Sequence, residues 1–346
     1  MKRHIEALVP ALLLLFLVSP SALARVKVVA TTTTYASLAE EIGGDKVEVF
    51  SIAAADQDVH FVRPKPSFAP KLAQAGLLIT TGMDLELWLP SLIDKAGNAK
   101  VREGQVGYVA VADGIEKLEI PATADRSSGG VHIYGNPHLV TDPLNVRKMA
   151  ENITIGLVKV DPESRTYYEG RLKAFRARLD EALFGAALVK AMGASTLLRL
   201  AESGNLVSFL EGRKIKGRPM SELLGGWMKK ALPLRGCKIV TYHKNWVYFA
   251  RTFGLEIVGE VEPKPAIPPS PKHVEEVINL MRSLDVRVVL AASYFDESKI
   301  NRICTAVDAR AVIAPLYVGG TPGTGDYFLL VDHWLDGLLD AYGEAK

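Results

Sequence analysis

The sequence predicts an α/β protein of two similar lobes, each a parallel central sheet flanked by helices, joined by one long rigid backbone helix. Alternation of strand and helix patterns is the first observation. "VKVVAT" (26 to 31) and "VEVFSIA" (47 to 53) are β-branched runs, and the amphipathic "YASLAEEIGG" between them ends in a glycine helix stop. "LLITTG" (77 to 82) and "VGYVAVA" (106 to 112) continue the strands. Strands separated by helices pair in parallel and form layers. The second observation is an internal repeat: "KVVATTTTYASLAEEIG" (27 to 43) and "KIVTYHKNWVYFARTFG" (238 to 254) share strand, polar turn, helix and glycine. Each is followed by a strand, a proline-rich loop, a helix and another strand.

Between the halves the period lengthens to 3.6. "NVRKMAENITIGLVKV" follows Pro143 as one amphipathic helix, and after the break at "DP" a second covers 163 to 183. At 1.5 Å per residue this second helix is about 30 Å long, a strut that restricts opening and closing. The expected organisation is a signal peptide at 1–24, an N-terminal lobe at 25–142 and linking helices at 143–183. An inserted helical segment at 184–235 and a C-terminal lobe at 236–346 complete it.

The signal peptide is read from basic "MKRH", the apolar run Ala7 to Val18 and the small-residue site "SALA" ending at Ala24. That run is too short for the ~20 apolar residues of a membrane helix. With no cysteine beside the cleavage site, the expectation is an exported, unlipidated periplasmic chain without membrane insertion. Loss of Lys2, Arg3 and Glu6 lowers the formal charge of +2 by one. So balanced a chain is a poor partner for nucleic acid or an anionic membrane, which leaves small ligands and protein partners. Cys237 and Cys304 are the only cysteines, too few for a disulfide scaffold or a cysteine zinc site. They could pair, or lie apart as separate buried thiols.

Six histidines follow the leader. His273, in a first helical turn, and His333, within a terminal helix, read as surface or packing residues. His60, His132, His138 and His243 fall in loops just outside strands or helices. Ligands of open α/β sheets bind outside strand ends, so His60, His138 and His243 could converge between the lobes. Three imidazoles suit zinc. Spacing alone does not separate a shared metal site from ordinary polar loop histidines, because no compact ligand motif is present.

The surrounding text is more specific. "VVATTTTYASLAEEIGGDKVEV", "VHFVRPKPS", "LAQAGLLITTGMDLELWLPSLIDKAGN", "NPHLVTDPLNVRKMAENI", "DPESRTYYEGRLKAFRARLD" and "IVTYHKNWVYFARTFGLEIVG" occur in that order. This set resembles the substrate-receptor proteins of bacterial zinc and manganese ABC importers, from about Val26 to Gly343 and interrupted at 184 to 235. The resemblance implies two α/β lobes, a metal ion between them, a monomer, and an ABC permease as partner. It places ligands at His60, His138 and His243. Histidine at the third position marks the zinc-type members, where manganese-type members often carry glutamate; zinc is therefore the expected cargo and manganese the lesser one.

At the fourth position relatives carry an aspartate, where this chain has Gly319. Asp326 from the same glycine-rich loop, His132 or a water could complete the sphere. The loop "PATADRSSGGVHIYG" also lacks the histidine-rich tract of many zinc receptors. A secreted zinc hydrolase is the rival reading, with Asp58, Asp142 and Lys244 as its only candidates for a general base or acid. Asp142 is better read as the cap of the helix starting at Pro143. An organic ligand such as a metal chelate would call on Phe61, Tyr134, Tyr242 and Trp246, which serve equally as an apolar wall around a metal.

Overall fold

The computed structural model describes residues 25–121, 132–215, 217–262 and 267–344. The expected signal peptide at 1–24 and most of the loop before His132 lie outside the described residues.

In the N-terminal lobe, β1 (Val26–Ala30) leads through α1 (Thr33–Gly43) to β2 (Val47–Ser51). After α2 (Phe68–Ala73) come β3 (Leu77–Thr80), α3 (Leu89–Ala96) and β4 (Tyr108–Ala110). The strands are shorter than their apolar runs. The sheet is parallel throughout, in the order β2-β1-β3-β4. Because β1 lies between β2 and β3, strand order reverses beside it, and a crevice forms outside the carboxyl ends there. β3 is buried at every position, as expected of a strand covered on both faces.

α4 (Pro143–Val160) lays Val146, Met149, Ala150, Ile153 and Leu157 inward along one face. α5 (Arg165–Phe184) follows, 20 residues long, and packs against α1 and α4. Short helices α6 (Ala186–Met192), α7 (Ala194–Glu202) and α8 (Leu206–Glu211) lead to a small hairpin, β5 (Lys214–Ile215) and β6 (Arg218–Pro219). Then α9 (Gly226–Lys230) returns to α5.

The C-terminal lobe runs β7 (Lys238–Thr241), α10 (Val247–Phe253), β8 (Glu256–Glu260), α11 (Pro271–Leu284), β9 (Val288–Ala292), α12 (Glu297–Val307), β10 (Arg310–Ala314) and α13 (Tyr327–Glu344). Its parallel sheet has the order β10-β9-β7-β8. In both lobes the first strand therefore lies between the second and third, so the repeated grammar of the sequence is a repeated topology.

One apolar interior passes through both lobes, joining Tyr35, Leu78 and Val146 to Trp246, Phe249 and Trp334; a second cluster lies around Val289, Met281 and Ile300. The lobes are also stitched by polar contacts. Thr33 Oγ1 donates to the Val318 carbonyl (2.7 Å) and the Val318 amide to Thr34 Oγ1 (3.1 Å). Tyr248 donates to the Asn136 carbonyl (2.7 Å), and Tyr327 to that of Val140 (3.0 Å). The four-threonine run thus does two jobs, since Thr32 caps α1 through the Tyr35 amide.

No disulfide joins the two cysteines. Cys304 is buried on α12, and burial pushes its thiol up to about 11; Cys237 Sγ donates to the Pro233 carbonyl at 3.4 Å. His333 is exposed, and His273 lies in the first turn of α11 with Nε2 2.9 Å from the Glu260 carbonyl.

Candidate metal centre

Three loops outside strand and helix ends bring His60, His138 and His243 together. Each offers a ring nitrogen, and the three nitrogens lie within 4.8 Å of one another. His60 sits in the 3-10 turn Val59–Phe61 beyond β2. Asp58 caps that turn, accepting from the His60 amide (3.0 Å) and from its Nδ1 (2.7 Å). Val59, fully buried, pins the turn inward, and Trp88 Nε1 donates to its carbonyl.

His138 is set by its neighbours in sequence. Asn136 Oδ1 accepts from the His138 amide at 2.9 Å, and Thr141 Oγ1 donates to the His138 carbonyl at 3.0 Å. Asp142 then caps α4 through the Leu144 amide, with Pro143 at the first helical position. Pro137 biases Asn136 toward extended backbone, so the chain reaches His138 straight and turns into the helix just after it. The buried Asn245 side chain lies 3.4 Å from both ring nitrogens of His138. His243 follows β7 directly, and its Nδ1 lies 3.2 Å from the Glu262 carbonyl.

These partners decide which nitrogen is free. A carboxylate or carbonyl only accepts, so Nδ1 of His60 and of His243 carries the proton and Nε2 presents a lone pair. The same hydrogen bonds fix ring orientation.

Burial favours the neutral form of His138 and His243. It drives His138, only 2% exposed, well below the ordinary histidine range, with the charges of His60, His243 and His132 adding to the effect. Burial likewise lowers His243 to about 4, helped by His60. On ordinary histidine chemistry, proton competition for a metal would begin near pH ~6.5; for these two ligands burial displaces it downward. Burial raises Asp142 to about 6 against the pull of the Leu144 amide and Arg251.

The signs for stability are opposite. A lowered histidine pKa means that the unfolded chain binds more protons, so stability from His138 and His243 is present above pH ~6.5 and is lost on acidification. A raised aspartate pKa means that the folded chain binds more, so the Asp142 contribution is present below pH ~3.9 and is lost as pH rises through about 6. Asp142→Asn keeps the cap and removes the opposing slope. Thermal melts of metal-free protein from pH 4.5 to 7 should then show a steeper acid loss in the variant than in the parent; equal slopes would refute the balance.

The remaining sequence candidates separate. Asp326 Oδ1 accepts from the Leu329 amide (2.8 Å), so that carboxylate starts α13 and stands outside the histidine set. Gly319 has φ +80° and donates its amide to the Thr324 carbonyl. His132 lies at the edge of the cluster, its Nε2 3.2 Å from His60 Nε2. Two buffering contacts were not legible in the sequence: Asp84, whose Oδ1 lies 2.8 Å from His132 Nδ1, and the Glu262 carbonyl. Asp58 stood in view two residues before His60, where an aspartate commonly bonds the backbone two residues on.

A cavity of about 730 Å³ opens beside the N-terminal sheet, lined among others by Met83, Glu86, Leu89, Tyr108 and Tyr134, and includes none of the histidines. The buried imidazole cluster is scaled to an ion. Two lobes of like topology hold that cluster between them.

The chain belongs to the family described as zinc-uptake complex component A, periplasmic, which matches residues 28–183 and 224–341. That family comprises periplasmic metal-binding components of ABC importers and is not an enzyme family. The manganese ABC transporter substrate-binding lipoprotein PsaA of Streptococcus anginosus is 30% identical over 161 residues, 45% of this chain and 49% of that protein. The iron ABC transporter substrate-binding lipoprotein MtsA of Streptococcus pyogenes serotype M1 is 29% identical over the same coverage. The chain thus spans about half the length of the curated relatives it matches.

Likeness of fold extends further. A zinc-bound ZnuA deletion mutant lacking 138–173 superposes with TM-score 0.67 at 20% identity, over 92% of this chain and 98% of that one. A manganese-bound periplasmic metal-binding protein from Candidatus Liberibacter asiaticus gives 0.64 at 17% identity, over 90% and 98%. Among the described residues no helix is long and apolar enough to cross a membrane.

Proposed function

We propose that this protein is an exported, monomeric receptor that binds a divalent transition metal, zinc before manganese, and delivers it to an ABC-type membrane permease. His60, His138 and His243 are its ligands. The observation that carries the reading is the mutual approach of three ring nitrogens within 4.8 Å, two of them made lone-pair donors by acceptors on the opposite side of the ring. An all-imidazole set suits zinc, whereas manganese prefers more oxygen. Because relatives are named for manganese, iron and zinc, the reading of zinc rests on the donors of this chain.

The hydrolase alternative finds its acid–base candidates engaged elsewhere, Lys244 by Glu119 at 3.2 Å. Asp58 is committed to His60 and its own turn, and Asp142 to α4, Arg251 and Thr252. Titration of Zn²⁺ into metal-free protein, in competition with a chelator, should give one site per chain. Mn²⁺ in the same assay should bind at least about 100-fold more weakly, given the donor preference. Two or more equal zinc sites, or manganese affinity equal to zinc, would overturn the reading.

A further inference from the structure

We infer that His132, oriented by Asp84, supplies the fourth metal ligand, so that one lobe furnishes three of the four donors. The inference rests on the receptor reading above and names what completes its site. Asp84 grips the His132 segment twice, with Oδ1 2.8 Å from Nδ1 and Oδ2 accepting from the Ile133 amide at 3.0 Å. A carboxylate cannot donate, so Nδ1 of His132 holds the proton and Nε2 is an acceptor.

His60 is in the same state, through Asp58. With Nδ1 protonated on both rings, two imidazole lone pairs face each other at 3.2 Å, an arrangement that calls for a shared proton or a metal ion between them. Zinc bonds of 2.0 to 2.1 Å in a tetrahedron give nitrogen–nitrogen edges of about 3.4 Å, so the His60–His132 edge is already near the length zinc requires. The ring of His132 also lies against that of His138, with centroids 6.1 Å apart and planes at 86°. The side chain is 15% exposed, buried enough to exclude bulk water from that corner.

His132 stands outside the set whose nitrogens are all within 4.8 Å, so binding requires it to close on His138 and His243 while its contact with His60 is kept. Asp84 makes this a pivot about a fixed hydrogen bond. The chain has no acid at Gly319 and spends Asp326 on α13. Donors from His60, His132 and His138 in the N-terminal half, with His243 alone from the C-terminal half, follow.

X-ray absorption at the zinc edge of the loaded full chain should count four imidazoles, falling to three plus one oxygen in His132→Gln. The cobalt-loaded protein should lose visible absorption intensity in parallel. Zinc affinity should fall about 10–100-fold in His132→Gln and His132→Ala, and about 10-fold in Asp84→Asn, which leaves the ligand but frees its ring. Three imidazoles and a water in the parent, or affinity within about twofold after both His132 changes, would overturn the inference. His138→Gln separates it from the receptor reading: if that variant loses zinc while His132→Gln does not, only the fourth ligand is wrong. If neither loses zinc, the three-histidine site fails as well.

Discussion

Replacing His138 by glutamine should weaken zinc binding by at least about 100-fold, more than the upper end of what loss of an outer hydrogen-bond partner costs. That is about 2.8 kcal/mol of binding free energy. The effect should be large because His138 is one of the three imidazoles whose ring nitrogens gather within 4.8 Å. His138 is 2% exposed, and the buried Asn245 beside its ring turns its Nδ2 to Tyr294. Glutamine retains bulk and polarity, so the backbone bonds from Asn136 and Thr141 persist and α4 keeps its cap. Chelator competition should therefore report the loss while the melting temperature of the metal-free variant stays close to that of the parent. An unchanged zinc affinity would remove His138 from the site.

Trp334→Ala should be the most damaging single substitution for folding, at about 3–5 kcal/mol. Trp334 is fully buried and meets Trp246, Phe249 and Tyr327 edge to face at centroid distances of 5.4, 5.8 and 6.3 Å. Its Nε1 donates to the Pro315 carbonyl at 2.7 Å, an acceptor the alanine variant leaves buried and unpaired. The same ring seats α13 on the helix that begins just after His243. Urea denaturation of metal-free protein measures the cost, and a change below about 1 kcal/mol would show that the site collapses without a cavity.

Much of this was legible in the sequence because periodicity is local. The strand-turn-helix-glycine repeat at 27 to 43 and 238 to 254 became two sheets of one topology, and "TDP" became the cap and first position of α4. The three histidines were legible by their order in the chain rather than by spacing. What surrounds them was not. His132 and Asp84 are 48 residues apart and meet only after folding, and the acceptor for His243 is a backbone carbonyl, which no side chain announces. Gly319 revealed the missing acid but not that Asp326 would be turned to the start of α13. Nor could ring ionisation be read from residue type: burial, a property of the packed lobes, sets His243 near 4.

The apolar interior shared by both lobes ties metal occupancy to the integrity of the whole chain. With Tyr35, Val146, Trp246 and Trp334 in one cluster, neither sheet can melt and leave the other a complete interior. Unfolding is then global, and it disperses the imidazoles gathered from both halves. A ligand held only by the folded state stabilises it by RT ln(1 + [L]/Kd), about 4.1 kcal/mol at a thousandfold excess over Kd. On the proposed reading that increment would fall on both lobes of the shared interior at once, so zinc loading should slow proteolysis of the two lobes together.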